Sequence, residues 1–84
     1  MVKDKYSITI ANTSGIDAKA AQDIVRKASE FEADMILKYM GKEVDLKSIL
    51  GIMSLAVLDG AQIEIVAKGK DAKEAIEAIK EMVK

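Results

Sequence analysis

The chain has 84 residues, half of them apolar and 32% charged, with a formal net charge of −1 and neither cysteine nor histidine. That size suits one small domain over residues 1–84, and the balanced charge argues against a nucleic-acid binder. Missing cysteine excludes disulfide and thiolate chemistry, and missing histidine removes the commonest general base and metal ligand.

Residues 5–11, KYSITIA, alternate, with Tyr6, Ile8 and Ile10 on one face and Ser7 and Thr9 on the other, which predicts a half-buried strand. The turn formers NTSG then break it. From Asp17 the period becomes helical: Ala21, Ile24, Val25, Ala28 and Phe31 share a face, and the helix is expected to run to about Glu30. Lys19, Gln22, Asp23, Arg26 and Lys27 fill its other side. Residues 34–40, DMILKYM, predict a second strand with Met35, Leu37 and Tyr39 together. Gly41 turns the chain into KEVDL, a short third strand with Val44 and Leu46 on one face. SILGIMSLAV, residues 48–57, reads as a short helix capped by Ser48 and weakened by Gly51. After the Asp59-Gly60 turn, AQIEIVAK alternates as a fourth strand, with Ala61, Ile63, Ile65 and Ala67 inward.

The last segment, from Asp71, is the strongest helix. Asp71 is its expected cap, with Glu74 three residues on, and Ala72, Ala75, Ile76, Ile79, Met82 and Val83 form the stripe. Lys80 and Lys84 lie at the end where the helix dipole favours cations. Its remaining lysines and glutamates read as a solvated face, and Met35, Met40 and Met82 as core filler. The order β-α-β-β-α-β-α gives an α+β fold: a four-stranded antiparallel sheet with three helices on one face.

No run approaches the roughly 18 to 20 apolar residues of a membrane span, and MVKDKY turns polar without a signal-peptide core. A cytoplasmic location away from membranes is expected. No phosphate-cradling glycine loop, metal cluster or nucleophile–base pair stands out, so no metal and no cofactor are expected.

Two segments carry a resemblance. SGIDAKAA, residues 14–21, is similar to the S/T-G-[LI]-H-A-R-P-A active-site motif of the HPr/Crh family of the bacterial phosphoenolpyruvate-dependent sugar phosphotransferase system. VDLKSILGIMSL, residues 44–55, resembles the regulatory-serine segment of that family, and the strand lengths and the Gly-Lys pair after the second strand agree. The resemblance spans essentially the whole chain and implies the open-faced β-sandwich of HPr. It also implies a phosphocarrier in which the histidine at the position of Asp17 takes a phosphoryl group and passes it to sugar-specific components. A helix N-terminus suits such a group, since its free N–H groups and dipole favour an anion.

Here Asp17, Lys19 and Ala20 stand where the family motif has histidine, arginine and proline. Aspartate cannot form a phosphohistidine, and lysine keeps the charge but loses the bidentate fork. Asp17 is left with three readings: a helix cap, a permanent charge imitating the phosphorylated state, or an acceptor forming an acyl phosphate. The resemblance assigns Ser48 to phosphorylation by an HPr-type, ATP-dependent Ser kinase, a role compatible with capping.

A helix this short cannot bury Ile49, Leu50, Ile52, Met53 and Leu55 on one side, so some of them form an exposed docking patch. In the family this patch meets phosphotransferase-system proteins and a LacI-type catabolite regulator; Lys19 and Lys47 are its expected flanking charges. The expected function is thus a non-enzymatic HPr/Crh-like regulator of carbon catabolite control acting through Ser48 and Ile49, Leu50 and Met53. Two rivals remain: an engineered or reconstructed HPr-fold scaffold without activity, and a phosphocarrier using Asp17. Either a monomer or a dimer that exchanges the first strand fits.

Overall fold

The computed structural model describes residues 4–83. Its elements are β1 (Lys5–Ile10), α1 (Ala18–Ala28), β2 (Asp34–Tyr39), β3 (Lys42–Asp45), α2 (Ile49–Ser54), β4 (Ile63–Lys68) and α3 (Ala72–Val83). The strands form one antiparallel sheet in the order β1-β4-β2-β3.

Because side chains alternate across a strand, the register fixes each face. Ile8, Ile65, Leu37 and Val44 form one row across the sheet, and Tyr6, Ala67 and Met35 the next. Leu37, Ile65 and Ala67 are fully buried under the helices, and each large aliphatic side chain buried there is worth about 1.5–3 kcal/mol. Ala21, Ile24 and Ala28 of α1, Ile52 of α2, and Ala72, Ala75, Ile76, Ile79 and Val83 of α3 close the core from above. Ser7, Val66, Ile36 and Asp45 point to the open face. The α+β architecture with three helices on one face stands as expected, since the apolar stripes have only one sheet face to cover.

Apolar residues at element ends are less buried than alternation implies. Met40, read as core filler, is 80% exposed: it shares the two-residue β2–β3 turn with Gly41, and both have positive φ (50° and 79°), as a type I′ hairpin requires. Met82 is 37% exposed at the last turn of α3, and Tyr6 is 41% exposed near the start of edge strand β1. Helix α1 ends at Ala28 and not at Glu30, because Glu30 and Phe31 donate three residues back, to Lys27 and Ala28, in a tightened final turn. Strand β4 starts at Ile63, so Ala61 is half-buried in the loop before it. Lys84 lies outside the described residues.

Asp71 does not spend its side chain on capping α3. Its carboxylate reaches across the fold to accept the N–H groups of Glu32 and Ala33, both at 2.9 Å, and so pins the α1–β2 loop. The Glu32 N–H is the main cause holding its pKa below the ordinary carboxylate value; desolvation pushes the other way, and Ala33, its own N–H and Lys47 add to the lowering. The folded state thus binds this proton less tightly than the unfolded chain. Its stabilisation is complete above the unfolded carboxylate pKa and drains away as pH falls through the lowered folded value. Asp71→Asn is expected to lower stability near pH 7, and the gap to the parent should close in the acid range, read by urea unfolding at both pH values.

Candidate functional site

The loop before α1 is held by its backbone. Thr13 is buried and donates both its N–H and its Oγ1 to the Ala61 carbonyl at 3.0 Å. Ser14 N–H reaches the Val83 carbonyl and Ile16 N–H the Val57 carbonyl, each at 3.0 Å. Gly15 N–H donates to Asp59 Oδ1 at 2.7 Å. A Cβ on Gly15 would lie 3.0 Å from the Asp59 nitrogen, a tight contact that glycine avoids. The backbone N–H groups of residues 13–16 are therefore all spent within the fold.

Asp17 follows with extended dihedrals (φ −87°, ψ −175°) and caps α1, Oδ1 accepting the Ala20 N–H at 2.8 Å. One of the N–H groups that would serve an external anion is thereby taken by the chain's own carboxylate. Lys19 sits in the first turn with its ammonium 3.3 Å from Asp23 Oδ2. A shallow cleft of about 460 Å³ lies between residues 14–17 and 56–59. Ala56, on its far wall, holds a left-handed φ of 52°, a conformation costing a residue with a Cβ roughly 1–2 kcal/mol.

Ser48 caps α2 as expected, its Oγ accepting the Gly51 N–H at 3.1 Å. Gly51 has a packing reason that the sequence hides: a Cβ there would lie 3.2 Å from both Ser48 Oγ and Val44 Cβ. Of the apolar run, Ile52 and Leu55 are buried, while Leu50 (83%), Met53 (42%) and Ile49 (38%) are exposed. Leu58, which sequence reasoning passed over, is 70% exposed beside the cleft. The Lys47 ammonium donates to the Phe31 carbonyl at 2.8 Å. Asp17 borders the loop that leaves α2, and Ser48 heads the same six-residue helix, so the two lie toward opposite ends of an element roughly 9 Å long.

Among the described residues, no group of three or more potential metal ligands gathers, and no helix is long and apolar enough to cross a membrane. The family described as the PTS HPr component phosphorylation site matches residues 5–84. The chain belongs to the HPr family. It is similar to the phosphocarrier protein HPr from Bacillus anthracis, 37% identical over 98% of this chain and 100% of that one, with a TM-score of 0.92. It is similar as well to Bacillus subtilis Crh, a catabolite repression protein described as a swapped dimer (36% identity, 98% and 92% covered, TM-score 0.77). A third similar structure is an HPr dimer from Thermoanaerobacter tengcongensis (37% identity, 80% and 77% covered, TM-score 0.75). HPr proteins are phosphocarriers and not enzymes. This HPr-family chain, however, offers no histidine on which a phosphoryl group can ride.

Proposed function

We propose that the chain is an HPr/Crh-like regulatory protein of the sugar phosphotransferase system and of carbon catabolite control. It works in the cytoplasm through phosphorylation of Ser48 and docking of partners on Ile49, Leu50 and Met53. The observation that carries this reading is Ser48 at the head of α2, followed by exposed Ile49 and Leu50 and, one turn on, Met53. A phosphate on Ser48 adds about −1.5 to −2 charges beside that patch, changing what docks there without touching the core. Its partners on this reading are an HPr-type Ser kinase, phosphotransferase-system proteins and a LacI-type catabolite regulator.

Asp17 stands at the family's phosphorylated position on this reading and serves as cap and fixed charge, its Oδ1 already engaged with Ala20. The chain acts as a monomer or exchanges β1 with a second copy, β1 being an edge strand that pairs with β4 alone.

Incubation with an HPr-type Ser kinase and ATP is expected to add one phosphate to the parent and none to Ser48→Ala, read by intact mass. The phosphorylated form should then bind the regulator more tightly. An unmodified parent, with no regulator bound to either form, would remove this function and favour an inactive scaffold. A phosphate gained from phosphoenolpyruvate and the first enzyme of the system would restore the carrier reading through Asp17.

A further inference from the structure

Exposed aliphatic side chains recur past the end of α2, at Leu58. Leu50 and Met53 lie one turn apart, and Ala56 donates its N–H to the Met53 carbonyl at 3.2 Å. The chain then presents Leu58 on the wall of the cleft that Asp17 borders. The charges around this run are unevenly committed. The Lys19 ammonium is paired with Asp23, and that of Lys47 is turned to the Phe31 carbonyl. Asp17 and Asp59 are both exposed; each accepts one backbone N–H, from Ala20 and Gly15, and neither has a cationic partner among the described residues. The face thus offers exposed aliphatic side chains together with two carboxylates that have no cationic partner among the described residues.

We propose that this face docks a basic, amphipathic segment of a partner protein. An aliphatic side chain of that segment packs on Leu50, Met53 and Leu58, and a lysine or arginine lies over the cleft between Asp17 and Asp59. The proposal rests on the docking role assigned to α2 above and adds the charge of its partner. Burial of aliphatic surface supplies affinity, while the two carboxylates set sign and encounter rate. The long apolar stem of lysine or arginine suits a cleft with apolar walls and an acidic rim. An acidic segment would set like charges against Asp17 and Asp59, which selects against it.

The test titrates the ¹⁵N-labelled protein with a leucine/lysine amphipathic peptide and with a leucine/glutamate peptide of equal length. The basic peptide is expected to shift the amides of Gly15, Leu50, Met53 and Leu58, and the acidic one to leave them in place. The double variant Asp17→Asn, Asp59→Asn keeps an oxygen to accept each backbone N–H, so its fold should be retained. It is expected to weaken the basic peptide about 3- to 10-fold and to flatten the salt dependence of binding. Equal affinity of the variant, or no shift with either peptide, overturns the proposal. Binding of the acidic peptide at Leu50 and Met53 overturns it as well, while leaving the docking role of α2 intact. The kinase experiment decides that role separately.

Discussion

Replacing Gly69 with alanine is expected to cost about 2 to 5 kcal/mol of stability, a large share of the 5–15 kcal/mol typical of a small domain. Gly69 follows β4 with φ +148°, where a side chain is strained, and a Cβ there would sit 2.8 Å from Ala33 Cα. The obstacle is backbone and cannot swing aside. Nor can Ala33 retreat freely, since its N–H is held by Asp71 and its methyl is buried. Gly41→Ala is the control: its φ is +79° but nothing lies within 4 Å, so only the backbone cost of about 1 to 2 kcal/mol applies. Urea unfolding of both variants near pH 7 measures the excess loss at Gly69, which combines the contact with Ala33 and the harsher φ. Equal losses would mean that contact with Ala33 carries no weight.

Asp17→His combined with Lys19→Arg is expected to make the chain accept one phosphoryl group on histidine from phosphoenolpyruvate and the first enzyme. The expectation follows from the proposed correspondence of Asp17 with the family's phosphorylated position. Removing Asp17 frees the Ala20 N–H that its carboxylate now occupies, and restores an uncapped helix N-terminus facing the cleft. Histidine supplies the ring nitrogen, and arginine the planar fork that lysine lacks. The lost cap should lower stability by about 0.5 to 2 kcal/mol, leaving a folded protein for the assay. Intact mass reads the product, and an acid-labile phosphate identifies attachment at nitrogen. Failure of both this variant and Asp17→His alone would show that the loop geometry, and not the acceptor, has been lost.

What was legible in the sequence was local or periodic. Strand alternation placed Leu37, Ile63 and Ile65 in the core, and the helical stripe placed Ile24 and Ile79 there. Asp17 and Ser48 were readable as caps because each takes an N–H three residues on. That some of Ile49, Leu50, Ile52, Met53 and Leu55 must face outward followed from the shortness of the run, and the fold selects Ile49, Leu50 and Met53. Periodicity gives a face but not a depth, so Met40, Met82 and Tyr6, each at or near an element's end, looked more buried than they are. Asp71 lay beyond reach for another reason. A carboxylate before a helix can cap it or serve a distant loop, and its partners Glu32 and Ala33 are far away in sequence. The same holds for Lys47 on Phe31 and Asp59 on Gly15, contacts that fix where these charged side chains lie.

The strand order has a kinetic side. Strands β2 and β3 are neighbours in sequence joined by a two-residue turn, whereas β1 pairs with β4 across more than half of the chain, from Ile10 with Ile63 to Lys5 with Lys68. Loop-closure entropy makes the β1–β4 ladder the most expensive to nucleate, and contact order places it among the slow steps of folding. As an edge strand, β1 contributes to one ladder only, so its release leaves the β4–β2–β3 sheet paired while uncovering the free edge of β4. In folding terms, the return of the first strand to β4 is the closure with the largest entropic cost in the sheet.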